Sequence, residues 1–568
     1  MLPTNTQQTN RGWLTDFIIL AALLTLFYLF WLGKYPLFTP DEGRYTEVAR
    51  EMLAAGDFIT PRLNGIAFLD KPALYYWLQA TAMYLFGVNE WAARLFPALL
   101  AVLGCLITYI CGRMLFDRRT GIISAIVLAT SPLFFGNGHY ADLNMEVAVF
   151  ISGTLLFFLT GVMRHDKWRG LFLFAAYLFA ACAFLTKGMI GLAFPCMIIG
   201  SWIVLSWRWR ELTSIYLIRG MLLFIALVLP WYLLVQKANP AFFHYFFVVQ
   251  QVTRFLSAGT FNNPSPYWFY IPIILIGIFP WTIFLVQAFF IHIKNYFRSP
   301  HTHAKELYLL LWFFIVLTFF SIPQTKTVGY ILPVFPPLAL LIGNYLSIMW
   351  NNSQSKSIYF AIINFVILSS VLAALLITLP QTEWIKIATT FKPLLLSMGL
   401  IFIVSAIMAV IFIKRKNLLA LFSITTISSI IFLLFLIMNA QYLNDNSAKP
   451  LVTQLKTVIQ PQDEVVSYLR FYQDVPLYLG RRISIAANWN APDILMQDNW
   501  QRELWYGMTL QKTDDILINE ESFWKKWNSN KRIFAFINSH DLNHFEAQKK
   551  PYFVLGQHNN IVLLSNHN

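Results

Sequence analysis

Runs of roughly twenty apolar residues recur along most of this chain, the length an α-helix needs to cross a hydrocarbon layer of about 30 Å. A buried soluble core is built from shorter ones. The runs predict spans at 15–33, 91–115, 121–137, 146–163, 170–186, 189–207, 215–235, 268–292, 307–322, 329–349, 357–379, 393–413 and 418–438, about thirteen in all. The pairs 170–207 and 307–349 are each divided only by a short polar turn, Thr186-Lys187-Gly188 and Gln324-Thr325-Lys326. With 57% hydrophobic and 12% charged residues, the chain is a polytopic α-helical membrane protein rather than a soluble one.

Charge orients the spans. Arg113, Arg118, Arg119, Arg164, Lys167, Arg169, Arg208, Arg210, Lys294, Arg298, Lys305, Lys414, Arg415 and Lys416 fall in loops on one side, which the positive-inside rule makes cytoplasmic. The net charge of +14 is thereby a topology signal, and no nucleic-acid partner is expected. The first span follows Asn10-Arg11 and lacks a small-residue cleavage site, so it reads as a retained anchor. Cys105, Cys111, Cys182 and Cys196 lie in predicted spans without CxxC spacing, as apolar packing residues rather than a disulfide framework or zinc site. No internal repeat or nucleotide motif suggests energy-coupled transport.

Two segments interrupt the pattern on the outer side, dividing the chain into a transmembrane domain, 1–438, and a tail, 439–568. The first is the loop 34–90; the second is the tail. In the tail, Glu464-Val465-Val466-Ser467-Tyr468, the run 532–537 and Ile561-Val562-Leu563-Leu564 read as strands of a small α/β domain. The loop holds Pro40-Asp41-Glu42-Gly43-Arg44-Tyr45 ahead of an amphipathic stretch. Asp70-Lys71-Pro72 then precedes a second one, Tyr75 to Phe86. Such helices suit the membrane interface, with Tyr75, Tyr76 and Trp77 at headgroup level.

Carboxylates near a span end are costly unless they face water or serve a purpose. Asp41 reads equally as a functional acid and as a helix cap. Lys71 reads equally as a phosphate ligand and as a snorkelling lysine, and Arg254 is a second candidate cation on the outer side. Lys187 sits in a tight outer turn, as a phosphate ligand or a boundary marker. Lys326 and Tyr330 flank another turn, followed by a proline-rich start, Pro333, Pro336 and Pro337, that suggests a broken helix.

These motifs together with Gly56-Asp57, Gly87, Asn89-Glu90, Ala93-Arg94, Leu185-Thr186-Lys187-Gly188, Tyr330-Ile331-Leu332-Pro333 and Tyr478-Leu479-Gly480-Arg481 resemble the lipid A aminoarabinose transferases. That family lies within the protein O-mannosyltransferase-like GT-C superfamily. The resemblance implies a GT-C fold and an outer C-terminal domain. It also implies transfer of a sugar from undecaprenyl phosphate to lipid A at the periplasmic face of a bacterial inner membrane. On that footing Asp41 is the essential first-loop carboxylate, and Lys71 and Arg254 hold the carrier phosphate. Glu42, Arg44, Tyr45, Asp70, Lys187, Lys326 and Tyr330 would line the substrate site.

One departure stands out. Where the family carries a second acid, this chain reads His139-Tyr140-Ala141-Asp142-Leu143-Asn144-Met145-Glu146 and sets Asn144 at the position. Asp142 or Glu146 then remains to supply the charge, which leaves the sugar open: an ammonium on it would want a carboxylate nearby. A related transferase acting on protein or another glycan, and a lipid-linked sugar transporter, are the alternatives. No cofactor is expected, and ligand spacing does not indicate a divalent metal.

Overall fold

The computed structural model describes residues 12–253, 265–300, 302–352, 355–381, 391–413, 417–444, 446–494 and 499–567. Asn10-Arg11, Arg254 and Lys414-Arg415-Lys416 lie outside the described residues. The chain forms two compact units: Met1–Leu32 with Pro97–Val228 and Ser265–Tyr442, and Gly33–Phe96 with Leu229–Pro264 and Leu443–Asn568.

Among the described residues, nine helices are long and apolar enough to cross a membrane, or up to eleven if each of two bent pairs is one span. The predicted segments all fall on helices, but not all are straight or long. Arg118–Ala129 meets Pro132–Gly138 at 67°, and Tyr267–Gly277 meets Thr282–Arg298 at 112°. Pro132 and Pro280 sit at these breaks, and a proline cannot donate into the preceding turn. Trp13–Leu29 and Ile190–Leu205 have 17 and 16 residues, about 26 and 24 Å of rise. The predicted spans 15–33 and 189–207 overran them. Trp31 and Trp207, with φ of 61° and 54°, turn the backbone left-handed just beyond, where a helix cannot continue.

In the first unit small residues bring helices together. A Cβ on Gly153 would lie 2.1 Å from the Phe179 ring, and one on Gly343 would lie 2.1 Å from Ser124 Oγ. Close approach of this kind is how helices gain packing where lipid removes the hydrophobic drive. The proline-rich segment is irregular as expected. Val328–Val334 is a 3-10 turn, and Phe335–Asn352 continues as α-helix.

The second unit is built on a six-stranded mixed sheet in the order β5-β4-β3-β6-β8-β7. Its strands are β3 Glu464–Tyr468, β4 Ser484–Ala486, β5 Leu517–Ile518, β6 Ile533–Asn538, β7 Phe553–His558 and β8 Ile561–Ser565. β3, β4, β5 and β6 run parallel; β8 is antiparallel to β6 and β7. All six residues of β6 are buried, as expected of a central strand covered on both faces. A hairpin of Arg62–Leu63 (β1) and Ile66–Ala67 (β2) turns through Asn64 and Gly65, both at positive φ (51° and 83°), the residue pair such a turn favours.

The helix Asp41–Ala55 departs from the interfacial expectation. Glu42, Thr46, Glu47, Arg50 and Glu51 are buried along with its apolar residues. It tolerates this because its acids are paired: Glu47 accepts from Arg50 at 2.6 and 2.7 Å, and Glu51 from Arg482 at 2.9 Å. Tyr75 and Tyr76, expected at headgroup level, are fully buried. They pack against Tyr45 with ring centroids 5.8 and 6.3 Å away.

Candidate active site

Within the second unit, Asp41 opens its helix directly after Pro40, with no side-chain cap. Its carboxylate is ion-paired to Arg44 three residues on. The Arg44 guanidinium also pairs with Glu503 on the helix Trp500–Leu510. The neighbouring Glu42 turns inward. It is fully buried and takes Arg94 Nε at 2.8 Å and Nη2 at 2.7 Å, while Arg94 also donates to the carbonyls of Tyr35 and Pro36 at 2.9 and 3.0 Å. Two adjacent acids thus have different surroundings, Glu42 sealed and Asp41 with its side chain 41% exposed.

Asp70 is buried and accepts from the Tyr245 hydroxyl. Burial, reinforced by the Asp70 carboxylate, pushes that hydroxyl's pKa well up, so Tyr245 remains a donor. Lys71 is half-buried and donates to the Asp70 carbonyl at 3.2 Å. Tyr76 lies among Tyr45, Asp70, Arg44 and Glu503; burial first, then Tyr45, Asp70 and Glu503, raise its pKa well above the ordinary value, opposed by the Arg44 guanidinium. The expected residues Asp41, Arg44, Tyr45, Asp70 and Lys71 therefore gather in one unit.

The first unit carries a second cluster. Asp142 accepts the Asn144 backbone N–H at 2.8 Å and its side-chain amide at 2.5 Å. Asn144 Oδ1 in turn accepts from Lys187 Nζ at 2.9 Å, and the ammonium lies 4.1 Å from the Tyr330 ring centroid. Asn144, Lys187 and Tyr330 line a small cavity with Phe194, Phe320 and Gly329. The backbone comes close there: a Cβ on Gly329 would meet Asn144 Nδ2 at 2.5 Å and push that side chain aside. Lys326 sits apart from Lys187, donating to the carbonyls of Ser265 at 2.9 Å and Pro323 at 2.5 Å. Glu146 is fully buried in the helix Asn144–Met163, and among the described residues its carboxyl oxygens have no hydrogen-bond partner.

Arg94, Tyr245 and Glu503 were not singled out from sequence. Arg94 appeared only within a family motif, and Glu503 is one of several acids in an unremarkable amphipathic stretch. No group of His, Cys, Asp and Glu suited to a metal occurs among the described residues.

The helical fold with its sheet-bearing second unit is the GT-C fold. The crystal structure of ArnT from Cupriavidus metallidurans bound to undecaprenyl phosphate superposes with a TM-score of 0.84 over 98% of both chains, at 23% identity. The archaeal oligosaccharyltransferase AglB from Archaeoglobus fulgidus gives a TM-score of 0.50 at 12% identity, over 93% of this chain and 69% of that one.

Sequence narrows the class. Residues 70–233 match the dolichyl-phosphate-mannose-protein mannosyltransferase model and residues 451–566 the aminoarabinose transferase C-terminal domain. The chain is similar in sequence to the undecaprenyl phosphate-alpha-4-amino-4-deoxy-L-arabinose arabinosyl transferases. It is 32% identical to the protein of Edwardsiella ictaluri over 65% of each chain, and 34% identical to that of Shewanella sediminis over 57% of this chain and 59% of that one. It thus spans less than two thirds of the length of these curated relatives.

Proposed function

We propose that the chain is an integral-membrane glycosyltransferase that moves 4-amino-4-deoxy-L-arabinose from undecaprenyl phosphate to lipid A at the periplasmic face of a bacterial inner membrane. The observation that carries this reading is the gathering of Asp41, Arg44, Asp70 and Lys71 in one unit, in a chain whose curated relatives bear that activity in their names. The periplasmic side rests on the lysines and arginines of the opposite loops.

In the proposed reaction the anomeric C–O bond to the carrier phosphate breaks, leaving negative charge on the departing phosphate. Lys71, with Arg254, stabilises that charge more in the transition state than in the ground state. Asp41 faces the anomeric carbon as it gains oxocarbenium character. A lipid A phosphate is already a nucleophile, so the acceptor needs no general base. Lys187 is placed by this reading at the acceptor phosphate. No cofactor is required, because the carrier phosphate is the activated leaving group.

Mass spectrometry of lipid A from cells carrying the wild type, Asp41→Asn or no copy, at matched protein levels, tests the proposal. An aminoarabinose adduct with the wild type alone is expected. Identical lipid A in all three overturns lipid A as acceptor, and an adduct of different mass overturns the sugar.

A further inference from the structure

We infer that the C-terminal helix Trp500–Leu510 sets the geometry of the active site, with Glu503 positioning Asp41 through Arg44 and Tyr506 positioning Asp70 through Tyr245. This rests on the proposed role of Asp41 and extends it to a part of the chain that touches no reacting atom.

The helix is fixed at several points within its unit. The Asn499 side chain caps it, accepting from the N–H groups of Gln501 and Arg502 at 3.0 and 3.2 Å. Gly507 lets it lie directly on the hairpin: a Cβ there would sit 2.3 Å from Ile66 Cγ2 and 2.6 Å from the Ala67 carbonyl oxygen. Gln511, just beyond its end, donates to the Gly65 carbonyl at 2.9 Å and accepts from Arg62 at 2.7 Å.

Glu503 is one turn before Gly507, so the close contact and the acid share a face. Its carboxylate pairs with Arg44, whose side chain is 13% exposed and which also holds Asp41. An i,i+3 pair between a guanidinium and an exposed carboxylate is weak by itself and would leave Asp41 free to rotate. Anchoring the far side of that guanidinium on a capped, packed helix makes the pairing geometrically definite. Tyr506, three residues after Glu503, packs its ring 4.5 Å from that of Tyr245, and the Tyr245 hydroxyl is bonded to Asp70, the neighbour of Lys71. A single helix therefore reaches the carboxylate through Arg44 and the cation segment through Tyr245, and catalytic groups misplaced by about 1 Å lose roughly a hundredfold in rate.

The test uses the full-length protein in lipid nanodiscs, with undecaprenyl phosphate-linked 4-amino-4-deoxy-L-arabinose and lipid A, measuring kcat, donor KM and thermal unfolding. Glu503→Gln is expected to lower kcat by roughly 10- to 100-fold with donor KM and unfolding temperature unchanged. Glu503→Asp, which keeps the charge, should recover most of the loss. Adding Glu503→Gln to Arg44→Gln should cost little further, because the two act as one unit. Should Glu503→Gln prove poorly folded, Tyr506→Ala against Tyr506→Phe serves instead: loss with alanine and retention with phenylalanine is expected. Arg482→Gln cuts another tie to the first-loop helix, at Glu51, and should leave kcat near wild type. Wild-type kcat in both Glu503→Gln and Tyr506→Ala overturns the inference, as does an equal loss in Arg482→Gln. Asp41→Asn, run in parallel, separates the two levels: if it is inactive while the helix variants are normal, only the inference falls, whereas an active Asp41→Asn overturns both.

Discussion

The two clusters are wired differently. In the second unit the charges branch: Glu42 and Arg94 form a sealed pair, while Arg44 joins Asp41 to Glu503. In the first unit they run in series, from Asp142 through the Asn144 amide to Lys187 and the Tyr330 ring. A branched network separates the groups that hold the fold from those available for chemistry, so damage to one branch need not reach the other. A series has no such separation, and the loss of any member displaces the next.

Breaking the sealed pair should have the largest effect. Glu42→Gln leaves a buried guanidinium without its anion, a loss of about 3–5 kcal/mol. Thermal unfolding and yield should collapse, and a well-folded Glu42→Gln would mean the pair is not structural. The series should respond through activity instead. Asn144→Ala and Lys187→Ala are each expected to lower transfer by roughly 10-fold or more, with a double variant little worse than either single one. Multiplicative losses in steady-state kinetics would show that the residues do not act in line.

A third test uses pH. Burial pushes the Asp474 carboxyl up to about 7, opposed by bonds from the Ala448 N–H and the Ser447 hydroxyl, and Glu47 is likewise pushed up to about 7 by burial. Unfolded, these acids release their protons near pH 4. Between those values the folded state binds more protons, so stability falls as pH rises from about 4 to about 7 and levels off above. The unfolding midpoint should therefore climb on acidification from pH 7.5 to 5.5, and Asp474→Asn should reduce that climb. The smallest effect is expected of Gly43→Ala. Its Cβ would meet the Asp474 backbone N at 3.1 Å, and calorimetry should register a loss within about 1 kcal/mol, the overpacking cost offset by helix propensity.

Much of this was legible in the sequence where a single physical rule dominates. Span length is fixed by the bilayer, so the apolar runs located the helices; they failed only where Trp31 and Trp207 turn the chain or Pro132 and Pro280 bend it, since hydropathy carries no backbone angle. The strands Glu464–Tyr468 and Ile561–Ser565 were likewise evident from their apolar runs. The helix Asp41–Ala55 was misread as interfacial because its pattern is amphipathic, whereas its polar face is buried against Arg94 and Arg482, distant in sequence. For the same reason Asp41 could be picked out by family motif, but Glu503, which pairs with Arg44 from 459 residues further on, could not. Around Asn144 the sequence left two acids open, and the structure gives them different surroundings: Asp142 bonds the Asn144 amide, and Glu146 is buried in the helix.

The most direct test of the central claim is transfer by the purified protein in nanodiscs supplied with undecaprenyl phosphate-aminoarabinose and lipid A, following glycosylated lipid A and free undecaprenyl phosphate together by mass spectrometry. The account predicts that the two products appear in equal amounts with the wild type and that neither forms with Asp41→Asn. Equal turnover by Asp41→Asn, or no modified lipid A from active-folded wild type, would contradict it.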